Sequence, residues 1–478
     1  MVCLFLCTIA CVRAQEWTFD TRTAQAYSEV LDLRTEEAAQ LVPVQKTAQE
    51  AYVATLGEAL ELLITEDAEK FQDYEDRFEK RIETKWKSSE ADNLFVQAEA
   101  RLQWAFVYLK FGHEFDAALT LRHAYQIAEE CKKKFPNYQA IRKTSGLLQV
   151  IVGSVPEKYN WVLGLLGIEG SSQTGLEELQ TLGRSDHPLA LETNFLYALV
   201  QGFVMQQPET ALAVITQVQE KHDGNKIALF LGAALAIKGS QSELALSMLT
   251  RLSALTEGLP VYYADYLRGE VYLHKADYLN ATSAYRWFIN HYAGKNYIKD
   301  AYYKIGLCYW LNGNTNDAYV LFKEARTKGL EDAEADKYAA RSLADSELPH
   351  IKLSKMRYYT DGGYYDQARE LAGSIKPTDL ATLRDNVEFL YRKARLAHKT
   401  NDLATAKTAY QQTIDRSGEN SWYFAPNACL QSGYIAVQEN NAEVARQFFN
   451  KAIAYKKHEY KNSIDSKAKS ALAQLKRK

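Results

Sequence analysis

Little in this chain punctuates it. Only 9 Pro and 24 Gly occur in 478 residues, too few turn formers for an all-β domain or for long disordered linkers. Cysteine is scarce where it could matter. Of six Cys, three (Cys3, Cys7 and Cys11) lie in the first 14 residues, which leaves Cys131, Cys308 and Cys429 far apart. That dispersed, odd-numbered set excludes a disulfide framework or a Cys-based zinc site, and each reads as a small apolar core residue. Charge of one sign is lacking as well. A net charge of −3 supplies no global field for a polyanion, so no nucleic-acid partner is expected. Past the N-terminus no apolar run reaches the roughly 18 residues of a spanning helix, and a soluble or peripherally attached chain is expected. Catalytic signatures are missing too: there is no G-x-x-x-x-G-K-[ST], H-E-x-x-H or G-x-S-x-G. The chain is therefore read as a non-enzyme without catalytic, cofactor-binding or metal-binding residues.

What is abundant is tyrosine, at 31 residues, and a repeated spacing. Gly306, Tyr309, Ala318, Phe322 and Ala325 lie at intervals of 3, 12, 16 and 19 from the glycine. Gly433, Ala436, Ala445, Phe449 and Ala452 repeat them, as do Ala105, Tyr108, Ala117, Leu121 and Ala124, and, more loosely, Gly269, Tyr272, Ala281, Tyr285 and Phe288. Small residues at such intervals let two antiparallel helices approach, and the aromatic residues fill the gap between hairpins. This pattern resembles the tetratricopeptide repeat. The resemblance implies an all-α fold, an α-solenoid of stacked antiparallel helix hairpins whose concave face binds another polypeptide.

The registers fall at 198, 232, 269, 306, 356, 394 and 433, so successive separations are 34, 37, 37, 50, 38 and 39. The separation of 50 predicts one extra element, in an insertion at about 327 to 348. The series from Ala198 and Gly232 run at 13, 17 and 20, which predicts one additional residue in each of those hairpin turns. The organisation expected is a leader at 1–14, N-terminal helices at 15–90, an irregular Gly-punctuated region within 91–183, repeats at 184–330 and 331–463, and a basic capping helix at 464–478.

The leader, MVCLFLCTIACVRA, is apolar and ends in Val12-Arg13-Ala14 before Gln15. It reads as an export signal cleaved after Ala14, which implies a bacterial periplasm or cell envelope; a weaker lipoprotein reading makes Cys11 the acylated residue.

Residues 90 to 330 carry a more specific likeness. Ala98-Glu99-Ala100-Arg101-Leu102-Gln103-Trp104-Ala105, Leu121-Arg122-His123-Ala124-Tyr125, Val155-Pro156, Leu165-Leu166-Gly167-Ile168-Glu169-Gly170 and Gly175-Leu176-Glu177-Glu178-Leu179 resemble the tetratricopeptide repeat protein 39 and fungal inclusion-body-clearance family. Ile168 departs from an aromatic there, and Ser171-Ser172 from an acidic or amide residue and Arg. The likeness implies a helical repeat protein without established catalysis, associated in eukaryotes with organelle or lipid-body surfaces.

The Gly167–Gly175 loop could hold an anion on backbone amides, yet it lacks the lysine and the preceding strand of a phosphate loop, so a structural turn is expected. His113 and His123 lack further ligands for a metal. The resemblance to the tetratricopeptide repeat implies inner-face positions three before, one after and four after the central residue. They are Tyr266, Glu270 and Leu273, with adjacent His274; Tyr303, Leu307 and Trp310; Tyr391, Arg395 and His398; and Leu430 with Tyr434. Aromatics with Arg and His suit a partner-binding groove, because rigid rings bury much area at little entropic cost. The expected partner is a protein or peptide segment. The alternative is peripheral contact with a membrane or lipid surface through the apolar 147–168 region, including Trp161 and Leu165.

Overall fold

The computed structural model describes residues 16–154, 170–344 and 348–475. The leader with Cys11, the cleavage after Ala14, the family-like stretch at 155–169 and the proposed lipid-facing Trp161 and Leu165 lie outside those residues. Among the described residues every regular element is helical.

The chain begins with α1 (Thr21–Leu31), α2 (Thr35–Leu41), α3 (Ala48–Thr65) and α4 (Ala68–Glu83). A long hairpin follows, α5 (Glu90–Lys110) with α6 (Glu114–Lys134), then α7 (Ile141–Ser154) packed on α8 (Ser172–Gly183). Leu147, Leu148, Val150 and Val152 of α7 are buried in this core. Here Lys143 is fully buried, its ammonium 2.7 Å from Glu99 and 2.6 Å from Glu192, while Tyr27 donates to Glu192 at 2.9 Å. A charge so desolvated persists because two carboxylates and their hydrogen bonds surround it.

The regular stack comprises α9 (Ala190–Leu199), prolonged by a π turn at Val200–Val204, with α10 (Pro208–Lys221); α11 (Lys226–Lys238) with α12 (Ser242–Ser253); α13 (Tyr263–His274) with α14 (Tyr278–His291); and α15 (Ile298–Leu311) with α16 (Thr315–Ala325). The reason for the spacing is visible in packing. A Cβ added at Gly306 would lie 2.8 Å from Cδ1 of Phe322, sixteen residues on. The absent side chain lets the buried ring fill the seam, and burying such a ring contributes about 2–3 kcal/mol.

Every one of these hairpins turns in three residues, of which the middle one is left-handed: Gln206, Ser240, Ala276 and Gly313 all have positive φ. Asp277 and Asn314 follow as N-caps accepting the N–H three residues on, which satisfies a donor that the helix cannot. The extra residue expected in two turns is therefore absent. At 198 it is absorbed by the π turn, and at 232 the register belongs to Ala233, from which Ala245, Leu249 and Leu252 recover 12, 16 and 19.

The insertion contains α17 (Glu334–Ala344), which packs on α15. It redirects the chain. The next hairpin, α18 (Ile351–Gly362) with α19 (Tyr365–Ser374), does not extend the stack from α16; instead α18 lies against α11, α13 and α15. Glycine permits this approach, since a Cβ on Gly362 would meet His274 Cβ at 2.6 Å and Gly363, at φ +87°, abuts the Ser240 carbonyl. Then come α20 (Leu383–Lys399) with α21 (Leu403–Ser417), α22 (Phe424–Gln438) with α23 (Ala442–Ala454), and α24 (Lys461–Leu475), whose Ile464, Ala468, Ala471 and Leu475 are buried.

Candidate functional site

Where α18 folds back, helices from both halves converge on a cavity of about 150 Å³. Tyr303 and Leu307 enter from α15, Tyr338 and Arg341 from α17, Arg357 and Tyr358 from α18, and Glu388 and Arg392 from α20. Tyr423 precedes α22, and Glu459 and Tyr460 precede α24. Tyrosine and arginine dominate the lining.

The rings and guanidinium groups hold one another in place. The Arg357 guanidinium lies 5.9 Å from the Tyr338 ring centre and 5.5 Å from that of Tyr358, donates to the Tyr338 hydroxyl at 3.3 Å, and faces Asp361 at 3.5 Å. Arg392 donates to Glu388 at 2.6 Å and to the Tyr423 hydroxyl at 2.9 Å. Arg341 sits 5.6 Å from the Tyr460 ring centre, and that ring packs 5.9 Å from Tyr338 and 5.2 Å from Tyr423. Cation–π contacts of this kind strengthen as water is excluded. Burial alone would raise Asp361, but the charges of Arg357 and Arg395 outweigh it and hold the carboxyl below its usual range.

The inner-face residues read from the repeats separate into distinct environments. Tyr303 and Leu307 line the cavity. Tyr266 is buried, donates to Asp300 at 2.5 Å, and accepts from Lys304 at 2.9 Å. Lys304 also reaches Glu270 at 2.5 Å, and Tyr285 donates to Glu270, so these polar groups satisfy one another inside the stack. His274 is buried against Tyr358 at 6.1 Å, with Ser242 Oγ 3.3 Å away. Trp310 donates to the Pro349 carbonyl at 2.9 Å. Tyr391 is packed among Tyr410, Tyr423 and Phe424, and Tyr434 rests on Phe449. Arg395 donates to Gln431 at 2.8 Å, and His398 lies 3.3 Å from the Tyr410 hydroxyl. Burial, then the charges of Arg395 and Lys399, push His398 down to about 4.

Tyr338, Arg341, Arg357, Tyr423 and Tyr460 escaped the repeat reading because they belong to the insertion, the hairpin at Met356 or inter-hairpin loops, and Arg392 because it lies on α20 two residues before the register at Ala394, off the inner-face positions. One of them carried a signal. The inner-face rule applied to the register at Met356 selects Arg357, one residue after it.

Outside the cavity, His113 stacks on Phe71 at 5.2 Å and His123 is exposed. Among the described residues no group of His, Cys, Asp and Glu is placed to hold a metal ion, and no helix is long and apolar enough to cross a membrane.

The fold and this interior define an all-helical repeat protein. A model of the tetratricopeptide repeat matches residues 426–458, the hairpin of α22 and α23. No curated protein matches the chain. Among solved structures, a tetratricopeptide repeat protein from Parabacteroides merdae ATCC 43184 is 16% identical over 68% of this chain and 99% of its own, at a TM-score of 0.24. The human IFIT1 dimer with m7Gppp-AAAA is 12% identical over 92% and 91%, at 0.37. The APC/C hetero-tetramer Cut9-Hcn1 is 13% identical over 95% and 88%, at 0.25.

Proposed function

We propose that the chain is a non-enzymatic tetratricopeptide-type scaffold that holds a segment of a partner protein in the Tyr- and Arg-lined cavity of its inner face. We place it in a bacterial cell envelope after export, with a mature N-terminus at Gln15 that mass spectrometry of the native protein checks. Kinship of residues 90–330 with the tetratricopeptide repeat protein 39 family belongs to the same proposal.

The observation that carries the reading is the convergence of Arg341, Arg357 and Arg392 with Tyr338, Tyr423 and Tyr460 around one cavity. Mutual stacking fixes these side chains before a ligand arrives, so little rotamer entropy is left to lose on binding. Rings supply apolar area with a polar edge, and guanidinium groups supply directed donors. No proton-transfer pair or nucleophile is needed for that task.

Arg341 and Tyr460 are suited to a test, since Arg341 is exposed and Tyr460 half-buried. Affinity capture from the native host should lose the partner when Arg341→Ala is combined with Tyr460→Ala, with affinity falling by about tenfold or more. The melting temperature should move by only a few degrees, since neither side chain is fully buried. Undiminished capture by a folded double variant would refute the assignment.

A further inference from the structure

Beside the cavity, α20 continues a row of cations: Arg392, Arg395 and Lys399 are spaced by three and four residues, hence on one helical face. Two more lysines lie close enough for their charges to interact with that row. Lys238 closes α11 and Lys467 lies on α24. The fold-back brings these elements together, because the turn after α18 sits on Ser240 and Tyr364 donates to Glu243 at 2.9 Å, while α20 packs on α18 and α22, and α24 packs on α22. Lys467 and Lys399 both act electrostatically on Lys238, and Arg395 acts on both Lys399 and Lys467. The acids whose fields reach this group are Asp361, which faces Arg357 at 3.5 Å, and Glu209. The Phe203 ring, 41% exposed, lies 5.4 Å from the Lys238 ammonium.

Three half-buried lysines set near one another and near Arg395 represent a standing cost unless an anion joins them, since burial and the neighbouring cations lower Lys238, Lys399 and Lys467 alike, whereas Arg395, against its burial, is held charged by Tyr410, Tyr391 and Asp361. Burial and the two neighbouring lysine charges push Lys238 down to about 8, the direction that cost requires. We propose that Lys238, Arg395, Lys399 and Lys467 form a binding site for the carboxylates of an acidic stretch in the partner polypeptide. This rests on the reading that a partner segment lies along the inner face. From Arg392 to Lys399 the helix rises about 10 Å, a distance that an extended chain covers in about three residues. One strand can therefore set a side chain into the cavity and place its acidic residues on the lysines.

The charge pattern favours a polypeptide over a nucleic acid. Glu388 and Glu459 line the cavity at the other end of the same path. Those carboxylates are paired to Arg392 and Arg384, and with Asp385 they offset the four lining arginines to leave that end near neutral; a peptide can be acidic at one end and neutral at the other, whereas a nucleic acid is charged at every phosphate.

The test uses the full chain and fluorescence anisotropy with a labelled oligoglutamate peptide, its oligoglutamine counterpart and a single-stranded oligoadenylate of matched charge. Oligoglutamate should bind and oligoglutamine should not, with affinity falling as salt rises. Combining Lys238→Gln, Lys399→Gln and Lys467→Gln should weaken oligoglutamate binding by at least about tenfold, while the corresponding Lys→Arg variant retains it. Relief of like-charge repulsion should leave the melting temperature of the Gln variant unchanged or higher. Absence of oligoglutamate binding, equal binding by the Gln variant, or tighter binding of oligoadenylate by the same lysines overturns the proposal. The Arg341→Ala/Tyr460→Ala variant should keep oligoglutamate binding within about twofold, because neither residue belongs to the lysine site. Failure of its partner-capture test therefore counts against the cavity reading and leaves the lysine site standing.

Discussion

His398 shows how one side chain records its surroundings. Its folded value of about 4 lies below the roughly 6.5 of an unfolded chain. The neutral ring is favoured in the fold, so its contribution is fully present above pH 6.5 and is lost as pH falls toward 4. His187, pushed to about 4 by burial and the charge of Lys143, adds to the same slope. Thermal melts recorded from pH 7 to pH 4.5 should fall steeply, and His398→Gln should flatten part of that fall. An identical profile for wild type and variant would contradict the placement of His398 beside Arg395 and Lys399. The arginines of the cavity tell a complementary story. Arg357 and Arg392 each have a carboxylate and a ring, whereas Arg341 packs on Tyr460 and remains exposed.

At the scale of helices and turns, much was legible. Gly306, Ala318 and Phe322 mark the seam between α15 and α16 because close helix approach admits a small residue opposite a ring, and that demand is local in sequence. Gly306→Val should therefore overpack the Phe322 seam and cost about 1–3 kcal/mol in urea unfolding; a cost near zero would show that the seam can relax. Turn length was misread at two places for an instructive reason. A π turn at Val200–Val204 and a one-residue shift to Ala233 both preserve the three-residue turn, but spacing alone assigns the surplus residue to the loop. Tyr266 and Tyr303 occupy equivalent positions in successive repeats, yet one donates to Asp300 inside the stack and the other lines a cavity. Their difference depends on what α18 covers, which no repeat period encodes.

The whole molecule is governed by the redirection at α17. A simple stack of hairpins would leave the inner ends of α11, α13 and α15 open along a single surface. Instead α18 occupies that surface, and the site is assembled between the two halves from residues more than a hundred positions apart, Tyr303 and Tyr460 among them. Long-range closure of this kind escaped the sequence because the separation of 50 announced an extra element without its direction. It also gives the cavity a shape that an open concave face lacks, with rings and guanidinium groups fixed from several sides.

On the proposed function, this cavity receives a partner polypeptide. Site-specific photocrosslinking in the native host measures it most directly, with the reactive group placed at Tyr460 on the cavity and, separately, at Val320, which is exposed on α16. A discrete protein adduct is expected from position 460, lost when Arg341→Ala is added, and none from position 320. Absence of an adduct at 460, or the same adduct from both positions, would contradict it.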